Sequence, residues 1–290
     1  MYFSVTLCLC GESFTKTGEF AVLQERNIKR INLDGMLVDL AVGTSSDAVV
    51  IARGIGRPDE QEQEWIDRFN KNGFTVAMPY YSGTWGSAGT FLIDSAKDDL
   101  RRVADLLTKG EFHHEDEHLI WKVEGITFIG LSFGGLASLV AGAQIDSVDQ
   151  TVAIGTPIDS IPYSEGYKGR DPIKQAIFIL KSGYGARYLG FTAERWEQAL
   201  NGELDMYPTQ HIHELVNKYV LLVHGADDEQ TDVRRSDAFY EQLKAAGSTK
   251  VDYLRLENEG HRMTYSHEQI HDYVMNWIRK TREKAKSAAV

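Results

Sequence analysis

The sequence predicts an α/β fold, a mostly parallel sheet of about eight strands with helices on both faces. Two observations lead to this prediction. From residue 47 onward, short apolar segments alternate with amphipathic helical ones, which is typical of parallel strands joined by crossover helices. Before residue 47, two strand-like runs flank Asp34-Gly35, a strong hairpin signal that adds antiparallel strands at one edge of the sheet.

The predicted strands are short apolar runs. Residues 1–10 (MYFSVTLCLC) alternate like a strand, and residues 28–33 and 36–42 form the two arms of the hairpin. The later strands are predicted at residues 48–52, 74–78, 125–129, 150–154, 219–223 and 251–256. Runs of this length, bounded by turn residues, indicate buried strands.

The helices are predicted between these strands, at residues 60–72, 93–109, 133–143 and 234–246, with a long last helix from residue 266. Gly73 and Gly110 follow the first two, and glycine commonly ends a helix because it adopts the left-handed conformation.

Between residues 157 and 215 the alternation is interrupted. Helix-like pieces at 173–181 and 193–200 are separated by glycines and prolines. A connection of this length is usually functional or disordered, and its aromatic content argues against disorder. We therefore expect one domain, residues 1–290, with a small helical cap inserted at 157–215.

The charge composition argues against some classes of binding partner. The chain has 31 Lys and Arg against 42 Asp and Glu, a net charge of −11. An acidic surface repels phosphate backbones and anionic lipids, so we expect no nucleic acid and no membrane partner; homo-oligomer formation is left open. Cys8 and Cys10 are too close in sequence for a normal disulfide. The apolar N-terminus lacks a positive n-region and a cleavage site, so we expect a cytoplasmic protein.

Residues 130–135 (GLSFGG) carry the first chemical signal. They connect a predicted strand to a predicted helix. A serine on such a sharp turn presents its hydroxyl above the sheet, and its neighbours must be small because the turn crowds the backbone. Ser132 is therefore the candidate nucleophile. The N–H of Phe133, at the start of the helix, would point at a developing oxyanion.

A serine hydroxyl needs a base that is itself held by an acid. The strand at 219–223 leads into His224-Gly225-Ala226-Asp227-Asp228, and the strand at 251–256 leads into Asn258-Glu259-Gly260-His261. Both loops follow the carboxyl ends of parallel strands, where ligands bind in open α/β sheets. His261 is the candidate base and Asp228 the candidate acid.

In these motifs, GLSFGG, HGADD and EGH in that order, the chain resembles an α/β-hydrolase, close to the dienelactone-hydrolase and prolyl-oligopeptidase branches. The resemblance covers nearly the whole chain and assigns nucleophile, acid and base to Ser132, Asp228 and His261. That branch usually has a valine three residues after the acid, but here the position is Thr231. Asp227 and Asp232 therefore remain rival acids.

The second oxyanion donor in such families comes from a loop that often reads His-Gly-X-Gly. Here residues 53–56 read Arg-Gly-Ile-Gly, so the donor would be the N–H of Ile55. Arg53 is either a contact for a substrate carboxylate or an outward, salt-bridged side chain, and the second reading is favoured. Tyr81 and Trp85, in the Gly/Ser-rich loop at 80–89, are candidate pocket residues.

Other histidine clusters are weaker candidates. Residues 113–118 (HHEDEH) predict a solvated acidic loop rather than a metal site. His224 is expected to pack or hydrogen-bond at the end of its strand, and His267 and His271 share a face of a helix that normally lies outside. No dinucleotide or P-loop motif is present. We expect no metal and no cofactor.

The resemblance implies hydrolysis of carboxylic esters of small substrates through an acyl-enzyme. Peptidase or amidase activity is the alternative, followed by thioester or carbon–carbon bond hydrolysis. Large oligopeptidases carry a propeller for which this chain has no room, which favours small substrates. Serine at the elbow argues against haloalkane dehalogenases, which use aspartate, and strict dienelactone hydrolases, which use cysteine. A non-catalytic binding protein of the same fold is the least favoured reading.

Overall fold

The computed structural model describes residues 28–55, 60–160, 187–264 and 266–288. The strand expected at residues 1–10 and the helix expected at 173–181 lie outside the described residues. The strands are β1 (Ile28–Leu33), β2 (Met36–Ala41), β3 (Asp47–Ala52), β4 (Thr75–Pro79), β5 (Glu111–His114), β6 (Glu117–Ile120), β7 (Gly125–Leu131), β8 (Val148–Ile154), β9 (Tyr219–Gly225) and β10 (Val251–Leu256). The helices are α1 (Glu60–Lys71), α2 (Ala96–Lys109), α3 (Phe133–Gln144), α4 (Ala193–Leu200), α5 (Ile212–Leu215), α6 (Val233–Ala245) and α7 (His267–Ala288), with a 3-10 helix at Pro208–His211.

Eight of the described strands form one sheet in the order β1-β2-β4-β3-β7-β8-β9-β10. β1 and β2 are antiparallel, β2 pairs antiparallel with β4, and the pairs from β4 to β10 are parallel. The predicted fold class is confirmed, including the antiparallel hairpin at one edge. β7, β9 and β10 all run in the same direction, so their carboxyl ends share one edge of the sheet.

The sheet is buried on both faces. In β3, Ala48, Val50 and Ala52 join the cluster that contains residues of α2 and α3. The alternate residues Val49 and Ile51 join the cluster that contains residues of α1 and α7. This period of two explains why a central strand of a three-layer fold is apolar at every position.

Two local predictions differ from the structure. α2 begins at Ala96, three residues later than expected, because Leu92 to Ser95 form a turn in which the Ser95 N–H donates to the Leu92 carbonyl. Residues 113–118 do not form an open loop: they belong to the antiparallel hairpin of β5 and β6. Phe112 and Leu119 on the inner face of this hairpin pack on the core.

Among the described helices, none combines the length and the apolarity needed to cross a bilayer.

Candidate active site

Ser132 occupies a strained turn between β7 and α3. Its φ of 52° and ψ of −119° lie in a region that non-glycine residues rarely adopt. Its N–H donates to the carbonyl of Ile154 at the end of β8, 2.8 Å away. A Cβ at Gly134 would lie 2.0 Å from the Ala52 carbonyl oxygen, and one at Gly130 would lie 2.2 Å from the Gly134 carbonyl oxygen. The small residues are therefore sterically required, as the motif predicts.

The structure brings Ser132, His261 and Asp228 into one hydrogen-bonded chain. His261 Nε2 lies 3.1 Å from Ser132 Oγ, and His261 Nδ1 lies 2.8 Å from Asp228 Oδ2. The three residues follow β7, β10 and β9, whose carboxyl ends meet at one edge of the sheet. Because Nδ1 donates to the carboxylate, Nε2 is free of its proton and can accept one from the serine hydroxyl.

Asp228 is fully buried, at 0% exposure, and is surrounded by donors. Its Oδ1 accepts from the backbone N–H groups of Gln230 and Thr231, at 2.7 and 2.9 Å. Its Oδ2 accepts from the Thr231 hydroxyl at 2.7 Å, from His261 and from His224 at 3.1 Å. Burial alone would raise the pKa of Asp228, but the hydrogen bonds from His224 and His261 outweigh it and hold the pKa well below its usual range.

The two rival acids lie elsewhere. Asp227 is exposed to solvent. Asp232 caps α6, accepting from the Arg234 N–H at 3.0 Å, and pairs with the Arg234 guanidinium. Of the three aspartates, Asp228 is the one that meets His261.

A cavity of about 380 Å³ opens beside the serine. Ser132, Phe133 and Ile55 all line it, so both predicted oxyanion donors belong to residues of its wall. Gly54 brings the Ile55 loop close to the nucleophile, since a Cβ at Gly54 would lie 3.5 Å from Ser132 Cβ. The other lining residues come mostly from the region at 157–215, from the loop between β9 and α6, and from single positions before α2 and within α3: Ile93, Leu136, Thr156, Pro157, Ile158, Asp159, Tyr188, Trp196, Ala199, Leu200, Met206, Tyr207, Gln230, Thr231, Asp232 and Arg235.

Comparison with known proteins agrees with this architecture. The model of the prolyl oligopeptidase family matches residues 173–284, while no curated protein sequence matches the chain. The solved esterase Pf2001 of Pyrococcus furiosus is 17% identical, with a TM-score of 0.62 over 87% of this chain and 92% of that chain. The chain has the α/β-hydrolase fold.

Two further solved structures show the same α/β-hydrolase fold. A monoacylglycerol lipase of Paleococcus ferrophilus is 16% identical, with a TM-score of 0.55 over 83% of this chain and 97% of that chain. An α/β serine hydrolase without a lid from Xanthomonas campestris is also 16% identical, with a TM-score of 0.56 over 88% and 94% of the two chains. At these identities the structures show the fold that the chain shares with them.

Thr231 stands where this branch of α/β-hydrolases usually has a valine, and its side chain contacts the candidate acid, Asp228. Its hydroxyl hydrogen-bonds Asp228 Oδ2 at 2.7 Å and lies 3.1 Å from the Gly155 carbonyl oxygen. Thr231 therefore gives the carboxylate a donor that valine lacks. The sequence alone draws attention to Thr231, three residues after Asp228. There, however, the departure from valine only weakens the assignment of Asp228 as the acid.

Arg53 is not the outward side chain that the sequence favoured, nor does it reach the cavity wall. It is 5% exposed, forms a buried ion pair with Glu62 on α1, and stacks over the Tyr80 ring at 4.1 Å. Its carbonyl accepts a hydrogen bond from the Tyr81 hydroxyl at 3.0 Å. A buried ion pair explains an arginine in the oxyanion loop: it anchors the loop to the helix that follows it.

The other two tentative pocket residues also lie behind the wall. The Tyr81 ring packs edge-on against Phe133, which itself lines the cavity. Trp85 packs edge-on against Tyr188, another lining residue, and lies under the guanidinium of Arg187. Neither Tyr81 nor Trp85 lines the cavity. Each packs against a residue that does.

The remaining histidines do not form a second site. His113 and His118 stack across the hairpin of β5 and β6, and His118 pairs with Glu111 at 3.0 Å. Within the described part of the chain, no three His, Cys, Asp or Glu side chains are grouped so as to hold a metal ion. His271, expected on an outer face of the last helix, is buried between α7 and α1.

Proposed function

We propose that this protein is a serine hydrolase that cleaves carboxylic esters of small substrates through an acyl-enzyme. Ser132 is the nucleophile, His261 the general base and Asp228 the acid that orients the base. The observation that carries the proposal is the continuous hydrogen-bonded chain from Ser132 Oγ through His261 to a fully buried Asp228.

The reaction follows from these positions. Ser132 Oγ attacks the ester carbonyl carbon while His261 Nε2 takes the hydroxyl proton. The N–H groups of Phe133 and Ile55 stabilise the negative charge on the carbonyl oxygen. His261 then gives its proton to the leaving alcohol, and a water molecule activated by the same imidazole releases the acid. Throughout, Asp228 stabilises the imidazolium and fixes the imidazole tautomer.

The cavity supports a small and mainly apolar substrate. Its volume of about 380 Å³ is near the lower end of pockets that bind small molecules. The walls next to Ser132 include Leu136, Ile158, Leu200 and Met206, which favour an aliphatic or aromatic acyl group. We propose that residues 157–215 act as the cap, since part of this wall belongs to them.

A peptidase or amidase is the second candidate because the matching family model is that of prolyl oligopeptidases. The same nucleophile, base and oxyanion donors would act on an amide. The leaving amine would then have to be protonated by His261 before it departs.

The proposal is tested by covalent labelling and by a substrate panel. The wild-type protein should react with a fluorophosphonate probe, and Ser132→Ala should lose labelling and about 10⁴-fold or more in kcat while keeping its circular dichroism spectrum. Among p-nitrophenyl esters from acetate to palmitate, assayed beside aminoacyl anilides, the shorter esters should be hydrolysed fastest. Ser132→Ala with more than about a tenth of wild-type turnover would refute the nucleophile, and faster anilide hydrolysis would favour the peptidase.

A further inference from the structure

A second histidine contacts the acid of the triad. His224, the last residue but one of β9, is 1% exposed. Its Nε2 lies 3.1 Å from Asp228 Oδ2, and its Nδ1 lies 2.7 Å from the hydroxyl of Ser236 on α6. Asp228 Oδ2 thus lies between two imidazoles, with His261 on the catalytic side and His224 on the buried side.

The surroundings of His224 fix which nitrogen carries the proton. Nε2 faces the Asp228 carboxylate and, at 3.3 Å, the backbone carbonyl of Thr231. Both groups only accept hydrogen bonds in these positions, so Nε2 must carry a hydrogen. Nδ1 of the neutral ring is then the acceptor, and the Ser236 hydroxyl donates to it. Asp228 and the Thr231 carbonyl therefore set the tautomer of His224, and the hydrogen bond from Ser236 holds the far side of its ring.

This arrangement restricts the carboxylate. Oδ1 is held by two backbone N–H groups of the loop, while Oδ2 is shared by His261, His224 and the Thr231 hydroxyl. Because His261 and His224 bond the same oxygen, a rotation of the Asp228 carboxylate that moves Oδ2 disturbs both hydrogen bonds. A buried carboxylate without that donor would lose a charge-assisted hydrogen bond that water cannot replace.

We propose that His224 is a positioning residue of the triad, which holds Asp228 Oδ2 in the orientation that His261 requires, with Ser236 anchoring the His224 ring through Nδ1. The inference deepens the proposed function and rests on it. His224 does not line the described cavity wall, so its contribution belongs to the chemical step and not to substrate binding.

The test compares His224→Leu with His224→Gln. Leucine fills a similar space without a donor, whereas glutamine carries an amide N–H at about the reach of the imidazole Nε2. We expect kcat for the best ester of the panel to fall roughly ten- to hundred-fold in His224→Leu, with KM nearly unchanged, and to recover most of this loss in His224→Gln. The rate of fluorophosphonate labelling should follow kcat. Ser236→Ala should lower kcat in the same direction by a smaller factor.

His271→Leu is the matched control, because it removes another buried imidazole that does not touch the triad. It should change thermal stability and leave kcat unchanged. The inference is overturned if folded His224→Leu keeps the wild-type kcat, or if His224→Gln is as slow as His224→Leu. If His224→Leu does not fold, a wild-type kcat in Ser236→Ala overturns it. A wild-type protein that neither labels nor hydrolyses esters would refute the proposed function itself, which is a separate result.

Discussion

We expect His271 to make the stability of the protein sensitive to mild acid. Its ring lies 4.0 Å from that of Trp65 on α1 and is 1% exposed, and its Nε2 has no hydrogen-bond partner among the described residues. Burial, followed by the nearby charges of His267 and Arg68, lowers the pKa of His271 to about 3, while Asp272 acts in the opposite direction. An unfolded chain returns this pKa to about 6.5.

The sign of the effect follows from proton binding. Between pH 6.5 and about 3 the unfolded state binds a proton at His271 that the folded state does not, so stability falls as the pH is lowered through this window. Each pH unit in the window costs at most ~1.4 kcal/mol, which amounts to at most about 2 kcal/mol between pH 7 and pH 5. The contribution is fully present above pH 6.5.

The assay is urea unfolding of the wild type and His271→Phe, followed by tryptophan fluorescence at pH 7 and pH 5. Phenylalanine keeps an aromatic ring against Trp65 and removes the titration. The other ionisable groups at this helix contact, His267 with Glu64 and Arg68 with Asp272, are common to both proteins. The wild type should therefore lose up to about 2 kcal/mol more than the variant on acidification. Equal losses in the two proteins would refute the reasoning.

Two further substitutions test the residues around Ser132. Asp228→Asn should keep the fold and lower kcat by up to about 10⁴-fold because His261 would adopt the wrong tautomer. Asp227→Asn and Asp232→Asn should both stay near wild type in the same esterase assay, since asparagine at position 232 still caps α6. A slow Asp227→Asn enzyme would show that the acid is misassigned. Arg53→Met should destabilise the protein by roughly 3 kcal/mol in urea unfolding, because it leaves the Glu62 carboxylate buried beside the lost cation; an effect near zero would show that the buried ion pair contributes nothing.

Most of the sheet could be predicted because its signals are local. β3 is an apolar run, β10 is a short strand-like segment that also contains Asp252 and Arg255, and Asp34-Gly35 gives the hairpin its connection. The hairpin of β5 and β6 could not be predicted in this way, since Glu111 to Ile120 contains few β-branched residues. Its structure depends on Phe112 and Leu119 packing on the core, which is a tertiary contact.

The candidate triad could also be predicted, because parallel strands place their carboxyl ends at one edge and so make three distant loops neighbours. The sequence could not predict which polar side chains are buried and which are exposed. Arg53 lies nine residues before its partner Glu62 and under the ring of Tyr80, and nothing in the local pattern distinguishes this buried pair from a surface one. The expectation that His271 lies on an outer face is wrong for the same reason. Its four-residue spacing from His267 identifies a helix face but not what packs against that face.

The two departures from the family pattern, Arg53 and Thr231, have a common physical consequence. Each introduces a paired polar group: buried Arg53 pairs with Glu62, and partly buried Thr231 bonds the buried Asp228. Buried polar networks are costly to break in part, because each lost partner leaves a desolvated group behind. The Arg53 loop is therefore tied to α1, and the loop that carries Asp228 is braced from within by Thr231. The cavity wall also includes Trp196 and Met206, which belong to the region at 157–215. Substrate selectivity should accordingly respond more to substitutions in this wall than to changes in the loops that hold the triad.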